Sequence, residues 1–424
     1  MQSRYGKIAL LHHVGSGNLG DDATLDTIIE NIRRRCPNAL IAAFTANPED
    51  TKQRHQLPSY PIRRTPWGWY QPPTPELTPK TPTKAQSRRY RLLPRLVSAL
   101  FFRLPRALYS EGSFLMGSRR ILSSFEVLII SGGGQLTEWG GPWSFLYTLL
   151  KWVLLAKSAH IKCLFLNVGA GPLTQPLSKL FARWALDAAD YVSFRDDQSR
   201  MLASQIGFKG SGQVFSDCVY IREAPAPKTA IQGHAGQLTV GIAPMPYCDP
   251  RVDPAERNLV IYQAFIDKLA IFTSSLIRNS NLLTMFGTDI GVDPLAIKDL
   301  QLSLLHHHNL PTLDYQTIST VDELLARMSA LDYVVTCRFH GVVLAHLLNK
   351  PVLALSHHPK VTTLMNDLGL SKYCVDIRTF DPAVLIEKFA SLVAETDEIK
   401  DRMAVILGKY RSRLITQFDE LFLS

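Results

Sequence analysis

The stretch that decides the fold is Lys7-Ile8-Ala9-Leu10-Leu11-His12-His13-Val14-Gly15-Ser16-Gly17-Asn18-Leu19-Gly20-Asp21-Asp22. An apolar run ends in a glycine-rich turn, and an acidic pair opens the next segment. The run reads as a buried strand over Lys7–Val14. Leu25, Ile28, Ile29 and Ile32 then recur at helical spacing, so a helix is expected from Asp21 or Asp22 to Arg35. Ala39–Ala46 reads as a second strand. Strand, turn, helix and strand in this order predict a parallel α/β sheet.

The same alternation continues outward. Val127–Ile130 ends in Ser131-Gly132-Gly133-Gly134, and Cys163–Val168 ends in Gly169-Ala170-Gly171. Helices are expected over Trp143–Ser158, Gln175–Ala189 and Asp197–Ile206. A linker rich in Pro and Gly lies at 222–237. A second alternation begins at Leu238–Ala243 and runs through strands Leu282–Phe286, Tyr333–Cys337 and Val352–Leu355. The fold class is therefore α/β, with two Rossmann-like domains facing across a cleft. Their expected bounds are 1–230 and 238–405, followed by a C-terminal helix at 406–424.

The chain has 424 residues and a net charge of +9. The charge is uneven: residues 51–120 hold 14 Lys and Arg against Glu76 and Glu111, and the rest holds 32 against 35. That basic segment also carries eight prolines between Pro58 and Pro82, which deny it ladder and helix hydrogen bonds. It reads as an extended insert, followed by an Arg-rich amphipathic stretch at Arg91–Leu108. The insert has no recognisable nucleic-acid module, so nucleic acid is not an expected partner. Six scattered cysteines without a CxxC suggest neither a disulfide framework nor a zinc site, and no metal is expected. No signal peptide is read at the N-terminus and no run reaches the length of a membrane span; Phe145–Ala156 reads as a buried helix. The expected location is cytoplasmic, with peripheral contact at the inner membrane face as an open alternative through the basic segment.

Four places could carry chemistry. Gly15-Ser16-Gly17-Asn18-Leu19-Gly20 matches GxGxxG, but Asp21 and Asp22 would stand where a pyrophosphate must sit. Either the turn is simply tight and acid-capped, or Asn18 and Asp21 line a ligand crevice. Gly133 and Gly134 end a strand where the backbone can approach a ligand. Arg195, after Phe194, can act as a planar anion clamp or pair with Asp196 or Asp197. Arg338-Phe339-His340-Gly341 follows an apolar strand and opens a helix. Arg338 and His340, two apart, point to one side if the stretch is extended. Lys360 opens the next helix, beside them. Together they read as a phosphate or carboxylate site with a proton donor.

These residues resemble the polysaccharide pyruvyl transferases. Similar proteins carry a Gly-Asn-x-Gly-Asp turn, here Gly17-Asn18-Leu19-Gly20-Asp21. They also carry a glycine-rich strand end like Ser131–Gly134 and a Ser-x-Arg-Asp segment, here Ser193–Asp196, with an Asp shortly after it, here Asp217. An Arg-x-His is followed about twenty residues later by Lys, here Arg338, His340 and Lys360. The resemblance implies a fold like the GT-B glycosyltransferases. It implies phosphoenolpyruvate as donor substrate, no cofactor, and a saccharide diol as acceptor, with a lipid-linked form among the open alternatives. Pyruvate ketal and phosphate would be the products. On this reading Arg195, Arg338 and Lys360 hold the donor's anionic groups, His340 is the general acid/base or supports the leaving phosphate, and Asp21 is a base on the acceptor side. Two other readings stand beside it: a GT-B nucleotide-sugar glycosyltransferase, and a non-catalytic sugar- or anion-binding protein.

Overall fold

The computed structural model describes residues 3–12, 15, 17–65, 104–225, 237–252 and 258–424. The chain forms two compact units, each built on its own parallel sheet. The first comprises Tyr5–His13 and Asn38–Gln213. Its strands are β1 (Lys7–Leu11), β2 (Leu40–Thr45), β3 (Ser59–Pro61), β4 (Val127–Ser131), β5 (Lys162–Val168), β6 (Tyr191–Phe194) and β7 (Gln213–Val214). They lie in the order β3-β2-β1-β4-β5-β6-β7. The register Ile8↔Val127 to Leu11↔Ile130 seats the opening strand at the sheet centre. Strands covered on both faces need apolar residues at successive positions, and β4 is buried along its whole length.

Between β1 and β2 runs helix α1 (Leu19–Arg35). It does not pack in that unit. Val14–Pro37 groups with Met1–Arg4 and Val214–Ser424 in the second unit. Around the first sheet lie α2 (Pro48–His55), α3 (Leu104–Leu122), α4 (Phe145–Ser158), α5 (Pro176–Asp187) and α6 (Asp197–Gln205). Trp152 of α4 is fully buried, meets Phe44 in a tilted ring contact with centres 4.7 Å apart, and donates its indole N–H to Ile62 O at 2.8 Å. These contacts satisfy the polar edge of a large apolar side chain.

The second sheet contains β8 (Thr239–Ala243), β9 (Leu282–Met285), β10 (Asp314–Tyr315), β11 (Tyr333–Thr336), β12 (Val352–Ser356) and β13 (Cys374–Asp376), in the order β10-β9-β8-β11-β12-β13. Its helices are α7 (Leu259–Arg278), α8 (Asp293–His308), α9 (Val321–Ser329), α10 (Phe339–Leu347), α11 (Pro359–Asp367), α12 (Pro382–Ala394) and α13 (Thr396–Phe422). Helix α7 is the one described helix long and apolar enough to cross a membrane by length and composition. Half of its most apolar window is buried, and it packs on α8 and α12 as a core helix.

Charge pairing fastens α1 into this unit. Arg222 is almost fully buried and lies 3.2 Å from Glu30 and 3.9 Å from Asp26, both on α1, and 2.8 Å from Asp322 on α9. Arg35 donates to Asp419 of α13 at 2.7 Å. A buried guanidinium needs such partners to offset its lost hydration.

Several elements differ from the sequence reading. One sheet is built from strands before residue 215 and the other from strands after 238, and α1 groups with the later one. Residues 406–422 continue α13, which starts at Thr396, and α12 precedes it with Leu385, Phe389 and Leu392 buried. Within the stretch read as irregular, α2 and β3 form, and a helix runs over Leu104–Leu122. Asn47 caps α2 through Asp50 N, and Pro48 at the first helical position suits a helix start, so both local signals were present. The Arg91–Leu108 reading lies outside the described residues up to position 103.

Candidate functional site

The Gly17–Asp21 turn is held against a loop of its own unit. Leu19 N–H donates to Thr288 O at 2.8 Å, Ile290 N–H donates to Gly17 O at 2.9 Å, and Asn18 pairs with Asp289 in an antiparallel bridge. Gly17 has φ +83°, and a β-carbon there would stand 2.9 Å from Ile290 Cγ1. Only glycine fits that turn without strain. The Asn18 side chain accepts from Gly20 N–H at 3.1 Å and Asp21 N–H at 3.4 Å. It therefore caps α1 three residues before Asp21, the earlier of the two acids expected to start the helix. Asp21 and Asp22 sit in the first turn, where the helix dipole favours negative charge.

Gly20 is the point of contact with His340. A β-carbon at Gly20 would lie 2.2 Å from His340 Nδ1 and 2.3 Å from Cγ, so the imidazole rests directly on the backbone of α1. His340 is buried, and its Nε2 lies 3.7 Å from Asp217 Oδ2. Asp217 is the N-cap of a short 3-10 helix, Cys218–Ile221, and its Oδ1 accepts from Val219 N–H at 3.1 Å. Gly341 is tight for a similar reason: a β-carbon there would meet Thr336 Oγ1 at 2.2 Å.

Arg338 and His340 do not point to one side. Arg338 is the N-cap residue of α10 with extended backbone (φ −96°, ψ 143°), whereas His340 is already inside the helix. The change of backbone period sends the two side chains to different partners. The Arg338 guanidinium donates to Asp293 Oδ1 from Nη2 at 2.6 Å and from Nε at 3.1 Å, and lies 3.5 Å from Asp289. Asp293 is fully buried, and its other oxygen accepts from Thr288 and Asp289 N–H. Burial, with Asp293 and Asp21 nearby, pushes the Asp289 carboxyl up to about 6, although Arg338 and Gly291 N–H pull it down. Asp293 and Asp289 were missed in the sequence. The signal for Asp293 was an acid directly before Pro294 at a helix start, which reads equally well as a plain cap.

Lys360 comes to the same strand ends through pairing of β11 with β12, whose register runs Val334↔Val352 to Thr336↔Ala354. Its ammonium lies 5.9 Å from the centre of the Phe339 ring, and its backbone N–H donates to His358 Nδ1 at 3.2 Å. His357, one residue past β12, is driven down to about 3 by burial first and then by Lys360, Arg338 and His358. The site edge is therefore lined by cations beside an imidazole that stays neutral.

The remaining candidates belong to the first unit. Arg195 is buried one residue past β6, with Nε 3.6 Å from Asp196. A β-carbon on Gly169 would lie 2.5 Å from Arg195 Nη2, and Gly169 N–H donates to Gly133 O at 2.7 Å. Arg195, Gly169 and Gly133 thus form one edge. Gly133 has φ +68°, which favours glycine; at Gly134 a β-carbon would meet Thr137 at an ordinary 3.5 Å.

Two outcomes follow. Gly20→Ala forces His340 away from α1, so the His340 ring resonances shift and any activity that uses the ring falls by roughly 10²-fold or more, while thermal unfolding remains cooperative. Unchanged resonances in a folded Gly20→Ala protein would contradict the packing. For His357, the unfolded chain binds a proton between the ordinary imidazole value and about 3 that the folded chain does not. Stability therefore falls as pH drops through that window, and His357→Gln makes the fall shallower in urea titrations at pH 7 and pH 5. An equal slope in both proteins would exclude a neutral His357.

No curated protein sequence matches the chain. Solved structures with similar folds include a UDP-N-acetylglucosamine 2-epimerase from Listeria monocytogenes (TM-score 0.57, 11% identity, covering 98% of this chain and 96% of that one). The Anabaena HepE protein, solved with UDP-glucose, gives a TM-score of 0.56 at 13% identity, covering 98% and 97%. The Methanocaldococcus jannaschii UDP-GlcNAc 2-epimerase gives 0.54 at 10%, covering 91% and 92%. At these identities the likeness is one of fold, and it agrees with two Rossmann-like, GT-B-like domains. The profile of the Polysaccharide pyruvyl transferase family matches residues 18–359, from the Asn18 cap to the residue before Lys360. The chain belongs to the polysaccharide pyruvyl transferase family.

Proposed function

We propose that the protein transfers the pyruvate unit of phosphoenolpyruvate onto two hydroxyls of a saccharide, forming a ketal and releasing phosphate. The observation that carries this reading is the gathering of Arg338, His340 and Lys360 at adjacent strand ends of the second sheet, with His340 lying on the first turn of α1. Phosphoenolpyruvate brings a carboxylate and a phosphate, so its site needs cations. The reaction adds a proton to the methylene carbon, joins the first hydroxyl oxygen to C2, breaks the C2–O bond to phosphate, and joins the second oxygen. Of the two hydroxyl protons lost, one balances the new methyl group and the other leaves with phosphate.

In this proposal Lys360 and Arg338 meet the donor's anionic groups, with Arg338 exchanging part of its hold on Asp289 for the ligand. His340 moves the protons, and Asp21, in the first turn of α1, is the base for the acceptor. Asn18 and Gly17 shape the turn that presents Asp21. Arg195, on the Gly133–Gly169 edge of the first unit, is proposed as a further anion-binding cation. A second reading, nucleotide-sugar transfer, is favoured by one observation: a neighbour of the same fold was solved with UDP-glucose.

Phosphoenolpyruvate is expected to raise the melting temperature where UDP-sugars do not. Phosphate release should appear with one member of a saccharide panel, and His340→Ala should lose roughly 10²–10⁴-fold in turnover while remaining folded. Stabilisation by a UDP-sugar alone would move the assignment to the second reading. A lipid-linked acceptor, with the basic segment at an anionic cytoplasmic membrane face, extends the proposal, each Lys or Arg contributing about 1 kcal/mol. Liposome binding lost on deleting residues 66–103 would support it; binding unchanged by the deletion would remove it.

A further inference from the structure

We propose that Asp217 is the positioning residue for His340, holding the imidazole with its proton on Nε2 so that Nδ1 is the working nitrogen at the first turn of α1. The two ring nitrogens face different surroundings. Nε2 is buried, makes no hydrogen bond, and has Asp217 Oδ2 at 3.7 Å. Nδ1 is the atom nearest the position that a Gly20 β-carbon would take, at 2.2 Å. A nitrogen closed off from solvent cannot reach a substrate. Nε2 is enclosed in this way and Nδ1, on the Gly20 side of the ring, is not.

Asp217 is built to hold one orientation. It is almost fully buried, and Oδ1 is fixed by Val219 N–H, which leaves Oδ2 aimed at the imidazole. The 3-10 helix that it caps is buried throughout and packs against α1, α10 and α13. A carboxylate accepts and does not donate, so it selects the tautomer whose N–H points toward it. The 3.7 Å separation is longer than a hydrogen bond, and such contacts shorten when a ligand closes the site. The proton bookkeeping is simple: Nδ1 takes a hydroxyl proton as base or returns one as acid, and Asp217 steadies the charged ring without itself being protonated.

The kinetic part of this inference rests on the proposed pyruvyl transfer, whereas the tautomer does not. The test is nitrogen-15 NMR of the full chain labelled at histidine, with His340 assigned from the spectrum of His340→Gln. The wild type is expected to show the protonated, pyrrole-like nitrogen at Nε2. Asp217→Asn should lose that preference, and Asp217→Glu should keep it. A wild-type proton on Nδ1, or an unchanged tautomer in Asp217→Asn, overturns the proposal. With phosphoenolpyruvate and an active acceptor, Asp217→Asn should lose about 10²-fold or more in kcat with KM for the donor little changed. Asp217→Glu should recover part of the loss. An equal rise in KM with kcat intact would contradict the positioning role, and so would no recovery in a folded Asp217→Glu. Absence of turnover in every protein would instead count against the transferase reading and leave the tautomer result standing.

Discussion

The missing β-carbon of Gly20 is the constraint on which the site depends. An imidazole edge pressed onto a helix backbone requires that the residue beneath it have no side chain. With that contact made, α1 belongs with the sheet carrying His340, although its sequence neighbours β1 and β2 belong to the other unit. The backbone bonds of Leu19 to Thr288 and of Ile290 to Gly17 then fix the register of the turn. Asn18 can satisfy the first amides of α1 only because the turn is held in that register.

Arg338 poses the opposite problem. Its charge is shared by Asp293, which is fully buried, and by Asp289, whose carboxyl is held less acidic than usual. The pair supplies the counter-charge that orients the buried guanidinium. Lys360 differs, carrying its charge over an aromatic ring. Phe339 offers that ammonium the negative face of its ring.

The sheets were legible because periodicity reports burial. The apolar runs of β1, β4 and β8 are buried along almost all of their length. The turn at Gly17–Asp21 was legible as a place, and its Asn–x–Gly spacing is explained by a cap followed by a close contact. What could not be read was which sheet α1 packs on, because the contacts that join them, Gly20 with His340, Glu30 with Arg222 and Arg35 with Asp419, pair residues far apart in the chain. Asp293 and Asp289 were hidden for the same reason: a carboxylate near a helix start looks the same whether it caps a backbone or faces an arginine. Helix α2 was overlooked because the neighbouring prolines dominated the reading, although Asn47 and Pro48 mark its start.

The threading of the chain also bears on how such proteins can change by recombination. The obvious seam between the halves is the segment near 226–236, but the unit with the second sheet needs α1, Asp217 and Arg222, all encoded before that seam. Two relatives that exchanged halves there would set one parent's Gly20 turn against the other's histidine. A viable exchange must carry Val14–Pro37 along with everything after Val214, as two separate inserts, or keep both sides of the Gly20–His340 contact from the same parent. Inheritance of this site is therefore tied to pieces of the gene that lie far apart.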